Sequence, residues 1–299
     1  MNRTRMIAVA LILIGASSYG LLSPFIKFAY DAGFADGEVS VAQVTGGTAL
    51  LWLLLAVTRS AWSNPFRGPW IRLALIGIFG LAATTVMYNV TLSQMDASLA
   101  IVFLFQFTWI TTAMESIASR RWPNRYQLLG IAVIMAGTLC AVDVFAVDIG
   151  RLGWRGALFG FLSAVSYSLF IFCTGRVKTT MHPLLKSVVM MTAALPFVYL
   201  LYPPTVFFQA DGGELLLWGL LLGMLGQTVP TVTFNVAIPR IGSALAALLG
   251  SMELPVAVVG AFLIIGEHVG AIQWLGVALI LFGIAVSERL GGAKREVSE

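Results

Sequence analysis

Apolar runs of about 20 residues, parted by short loops that hold most of the charge, constrain this chain more than any motif in it. A helix of that length crosses the hydrocarbon of a bilayer, where every backbone amide must find its partner within the protein. The residue-by-residue alternation of a membrane β-barrel is absent. Charged residues are 11% of the chain, against about 25% in soluble proteins, and the mean hydropathy is +0.90. The fold class that follows is an all-α integral membrane protein.

Runs and breakers predict ten transmembrane helices, near residues 6–27, 39–58, 71–92, 97–118, 126–144, 153–174, 184–203, 214–236, 241–264 and 270–287. The apolar stretch behind Arg3 and Arg5 continues to Ile26, too long for a signal-peptide core, and reads as an uncleaved first span. All but Lys27, Arg151 and Arg155 of the 18 Lys and Arg fall on one side of this topology, Lys186 counted among the loop charges, and most acids on the other. Positive loops stay in the cytoplasm, so both termini are expected there. The net charge of +4 is then a topology signal, and nucleic acid is not a partner. Six tryptophans, among them Trp122 and Trp154, lie near span ends where indoles bridge lipid and water, whereas Trp109 lies mid-span. Cys140 and Cys173 fall near opposite faces, too far apart for a disulfide.

The chain repeats itself. YNVTLSQMDASLA and FNVAIPRIGSALA align without a gap, with Asn89 and Asn235 standing 146 residues apart. The same offset pairs Gln127 with Gln273, Gly130 with Gly276, Ile134 with Ile280 and Gly137 with Gly283. Residues 1–144 and 153–287 are therefore expected to be two five-helix units, and 288–299 a disordered cytoplasmic tail. Five is odd, so the second unit enters the membrane inverted. Inverted repeats let one central site open to either face in turn, which is the architecture of a carrier. Duplication kept for packing alone is the alternative.

The second copy, LGSMELPVAVVGAFLIIGEHVGAIQWLGVALILFGI, resembles the EamA-type repeat of the drug/metabolite transporter superfamily. That pattern ends a helix in an apolar-Gly-Glu turn and continues into a Gly-containing last span. Glu267 fills its acidic position, but the first copy, SIASRRWP, has Arg121 there, which favours a turn or topology role for the acid. In overall likeness the chain also resembles the aromatic amino-acid exporters of the YddG type. The resemblance implies a carrier of the bacterial inner membrane whose substrates are aromatic amino acids or analogues.

Polar residues inside the spans mark the candidate site. Glu253 lies mid-span with small residues, Ala246, Gly250, Ala257 and Gly260, on its helical face, and Pro255 kinks the helix beside it. An acid there either handles substrate or protons, or is a protonated structural group bonded to a neighbouring backbone. Tyr19, Tyr88 and Tyr167 supply amphipathic rings, and Gln227, Thr231 and Glu253 could hold a zwitterion. Trp109 is either a stacking wall or lipid-facing filler. Asn89 and Asn235 are read as helix cross-links, Gly156/Gly160 and Gly219/Gly223 as close helix contacts, and Glu115 as an interfacial partner of Arg120 and Arg121.

His182 and His268 fall in loops on opposite sides, so no paired-His metal site exists, and Walker, GxSxG and dinucleotide patterns are missing. No catalytic residue, metal or cofactor is expected, and an embedded enzyme or a scaffold is the weaker class. The expected function is export of amino acids by alternating access, with substrate-binding residues Tyr19, Tyr88, Trp109, Tyr167, Gln227, Thr231 and Glu253. A carrier of another metabolite, such as a drug, purine or nucleotide sugar, is the alternative.

Overall fold

The computed structural model describes residues 3–95, 97–143, 153–208, 212–266 and 268–292, and among these it holds helices and turns but no strand. Nine helices there are long and apolar enough to cross a membrane. They are α1 (Arg3–Asp31), α2 (Asp36–Val57), α3 (Trp70–Gln94), α4 (Leu99–Ser119), α6 (Trp154–Arg176), α7 (Pro183–Leu201), α8 (Gly212–Ile241), α9 (Ser243–Ile264) and α10 (Ala271–Glu288). The remaining apolar helix, α5 (Arg125–Ala141), has 17 residues, at the short limit for a span. The chain is a multi-pass membrane protein. Glu267, Arg151, Asp96, Asp148, Asp211 and the tail beyond Gly292 lie outside the described residues.

Local chemistry sets the helix starts. Asn124 opens α5: its side chain accepts from Tyr126 N at 3.4 Å, while Gln127 Oε1 accepts from Asn124 N at 3.1 Å. Gln273, the repeat partner of Gln127, does the same for α10 by accepting from Gly270 N at 2.8 Å. The repeated glutamine is thus a helix cap.

The packing is duplicated as well. α1 lies on α8 as α6 lies on α3, α2 on α8 as α7 on α3, and α1 on α9 as α6 on α4. The pairs α2–α7, α4–α9 and α5–α10 are their own counterparts when each helix is exchanged for the one five places on. Lipid tails are as apolar as leucine, so these contacts depend on close van der Waals approach between small residues. A Cβ on Gly219 would meet the Ala42 carbonyl oxygen at 2.6 Å, and one on Gly223 would strike the α2 backbone at Gly47. On α5 and α10, a Cβ on Gly137 would meet the Gly276 oxygen at 2.9 Å, and one on Gly283 would meet the Gly130 oxygen at 3.2 Å.

Several helices are irregular at matching places. α4 is interrupted at Phe105–Gln106 and α9 at Ser251–Met252, positions equivalent by the repeat. Pro255 leaves the Ser251 carbonyl without its α-helical donor, as expected, but α4 has Trp109 at that place and breaks all the same. Wider π-helical turns occur at Gly77–Ala82 in α3 and at Met224–Thr228 in α8, again equivalent, and a third closes α9 at Ala261–Ile265. In α8 the turn is followed by Pro230, which has no N–H to offer it, although α3 has Thr84 at that place. Ser18 of α1 fills that gap by donating its hydroxyl to the Leu225 carbonyl at 2.7 Å.

Two charged residues sit differently from their sequence reading. Lys186 is not a loop residue: it lies in α7, 6% exposed, and its Nζ donates to the Asn235 carbonyl at 3.3 Å. Glu115 does not pair with Arg120 or Arg121. It faces α6 and α9 instead, bridging to Arg176 at 3.2 Å and accepting from Ser243 Oγ.

Candidate functional site

A cavity lies where α1, α2, α3, α4, α6 and α9 meet, walled by Tyr19, Gln43, Thr85, Tyr88, Tyr167 and Glu253 among others. It extends from mid-helix toward the C-terminal halves of α1 and α3, ending near Ile26 and Asn89. On its other side it is closed by rings. Tyr19 meets Tyr167 edge-on at 5.7 Å, and Phe107 meets Tyr167 at 4.7 Å. Phe170 stacks between Tyr167 and Phe234, at 6.2 and 6.1 Å. Four helices contribute to this layer.

Glu253 begins the second piece of α9. Its carboxyl borders the cavity at 7% exposure, and Oε2 has no protein partner. The backbone around it is crowded, since a Cβ on Gly20 of α1 would collide with the Glu253 carbonyl. Gln43 Oε1 and the Tyr167 hydroxyl are likewise buried and unpartnered. Native interiors leave few such groups. Gathered around one space, these groups mark a place where a polar ligand or water would complete them.

Of the residues expected to bind substrate, Tyr19, Tyr88, Tyr167 and Glu253 therefore come together in one wall. Gln227 stands one layer behind, donating its amide to Thr85 Oγ1 at 2.8 Å. Thr231 is fully buried in α8, away from the cavity, with its hydroxyl unpartnered. Trp109 does not reach the site. It is 40% exposed on the outer face of α4, and its Nε1 donates to Gln106 Oε1 at 2.7 Å. Sequence reasoning missed Gln43, Ser23 and Thr84. The signal for Gln43 was there, an amide alone in the apolar run of α2; Ser23 and Thr84 carry none, because serine and threonine ordinarily bond back to their own helix.

The asparagines cross-link helices. Asn89 donates to Ser40 Oγ at 2.8 Å, joining α3 to α2, and Asn235 donates to Ser187 Oγ at 3.0 Å, joining α8 to α7. The cavity is small, about 40 Å³. With roughly 30 Å³ for each liquid water, it has room for one or two. Sites for organic ligands hold several hundred Å³, so a substrate must part these helices to enter.

Comparison with known proteins agrees with this architecture. A model of the EamA-like transporter family matches residues 6–142 and again 154–288. The uncharacterized transporter YcbK of Bacillus subtilis (strain 168) is 23% identical over 299 residues, covering 95% of this chain and 94% of the relative. A protein of known crystal structure superposes with a TM-score of 0.74 at 16% identity, over 96% of this chain and 98% of that one. Identity this low speaks for the fold alone. The family match takes in both copies of the repeat and every helix that walls the cavity: the chain belongs to the EamA-like transporter family.

Proposed function

We propose that this transporter is a secondary carrier of the bacterial inner membrane that exports aromatic amino acids and related small metabolites by alternating access. The observation that carries the reading is the cavity itself: tyrosine rings face an unpartnered carboxyl, with no Lys or Arg among the lining residues. Ring faces suit an aromatic side chain and the carboxyl suits its ammonium group. Gln43 supplies an amide for the other end of a zwitterion. A nucleotide sugar would need cations there, which weighs against that alternative. A flat organic cation is the second reading, favoured by the uncompensated acid.

The residues 1–144 and 153–287 act as the two inverted five-helix units of this carrier, α5 being the tenth span, with both termini cytoplasmic and 288–299 a tail. Broken helices at matching positions are the usual sign of a midplane site in such carriers. In this reading, exchange of conformations between the halves brings Thr231, the repeat partner of Thr85, to the cavity wall in the state open to the opposite face.

Counterflow tests the substrate. Liposomes preloaded with unlabelled phenylalanine or tryptophan are expected to accumulate the labelled compound transiently and saturably. Failure across a broad amino-acid panel, with counterflow of a flat cation instead, would move the assignment to the second reading.

A further inference from the structure

We infer that the outer groove between α4 and α5 is a binding site for one anionic phospholipid. The loop joining these helices is only five residues long, yet they barely touch. They splay apart and leave a groove of about 550 Å³. Trp109, Ile117, Leu128 and Ile131 line it. Two hydroxyls in the same wall are turned back into α4: Thr112 donates to the Thr108 carbonyl at 2.9 Å and Ser116 to the Thr112 carbonyl at 2.8 Å. What remains facing outward is apolar, a slot for an acyl chain.

The head of the groove is cationic. Arg120 takes a left-handed backbone, φ 53°, at the end of α4, and Arg121 N donates to the Ser116 carbonyl at 3.2 Å, which fixes both residues at the rim. Glu115, the acid at this end of α4, pairs with Arg176 on the far side of the helix. Among the described residues neither rim arginine has an acid partner. Trp122, 94% exposed beside them, suits the lipid–water boundary. Two unneutralised guanidiniums above an apolar slot match a phosphate head and its chain, and basic pockets between membrane helices commonly hold such lipids. The inference stands apart from the substrate reading. It also accounts for Trp109, whose indole lines this groove and not the central cavity.

Native mass spectrometry of the delipidated protein, titrated with phosphatidylglycerol or phosphatidylcholine, tests it. The wild type is expected to retain a first phosphatidylglycerol in preference to phosphatidylcholine. With about 1 kcal/mol for each arginine near a charged head group, Arg120→Gln/Arg121→Gln should weaken that first lipid about thirtyfold. Arg120→Lys/Arg121→Lys should keep most of the affinity, and Ile131→Trp, which fills the slot, should lose it with the arginines intact. Should the glutamine pair fold poorly, Ile131→Trp gives an independent reading. Equal loss in Arg59→Gln/Arg67→Gln would reduce the effect to bulk charge and overturn the site. Equal retention of both lipids, binding of inorganic phosphate in place of lipid, or a dimer that Ile131→Trp dissociates would overturn it too.

Discussion

Gln227 donates its amide to Thr85 Oγ1 at 2.8 Å, and this bond ties α8, in the second half of the chain, to the cavity wall in α3. Thr85 keeps its own bond to the Leu81 carbonyl at 3.0 Å, so it does not need the glutamine to stay folded. Gln227→Leu should therefore cost about 0.6 kcal/mol, the usual size of an interhelical bond in a membrane protein. Its melting temperature should stay within about 2 °C of wild type. The KM for counterflow should rise several-fold, because the wall loses its anchor. An unchanged KM would place Gln227 outside the substrate path.

Glu253→Gln preserves shape while removing the charge and the titratable proton. The carboxyl has no protein partner at Oε2, so the variant should fold normally in detergent. Transport should fall at least about tenfold, equivalent to roughly 1.4 kcal/mol of lost interaction, and its pH dependence should flatten. A normal rate with the wild-type pH profile would make the acid structural.

Gly137→Leu places a side chain against the Gly276 carbonyl and Ile280. Overpacking of this kind costs about 1–3 kcal/mol, and here the obstacle is backbone, which cannot swing away. Thermal melts should show a clear loss for Gly137→Leu. Gly213→Ala, where nothing stands within 4 Å, should melt with the wild type.

Lys186→Met tests the price of a buried ammonium. The lysine is 6% exposed, and its one described bond, to the Asn235 carbonyl, is a long 3.3 Å. An apolar side chain of similar length avoids the desolvation penalty, so the melting temperature should rise by a few degrees, on the order of 1 kcal/mol. A lower melting temperature would show that the bond outweighs the desolvation.

Much of this was legible in the residues. An offset of 146 is visible wherever geometry demanded the same side chain twice, as with Gln127 and Gln273 at helix starts and the paired glycines of α5 and α10. Gly219 and Gly223 were readable as a close contact because only a missing Cβ allows backbone to meet backbone. The break in α4 was not readable, since Phe105 and Gln106 are neither proline nor glycine. Trp109 failed for a related reason. Composition places it at mid-span, but only the rotation of α4, set by its contacts with α6 and α9, decides that the indole faces outward. Glu115 was assigned to its nearest arginines in sequence, whereas a helix end presents its side chains to whichever helix lies beside it, here α6.

The crossed glycines of α5 and α10 have one more consequence. Gly137 meets Gly276 and Ile280, while Gly283 meets Gly130 and Ile134, so each contact occurs twice with the partners swapped. A dyad between two identical subunits has the same property, every residue answering its counterpart across the axis. The seam inside this single chain is built like a homodimer interface. A gene cut between α5 and α6 would then encode two polypeptides that already carry complementary faces, and the loop joining them would be a convenience of stoichiometry more than a condition of assembly.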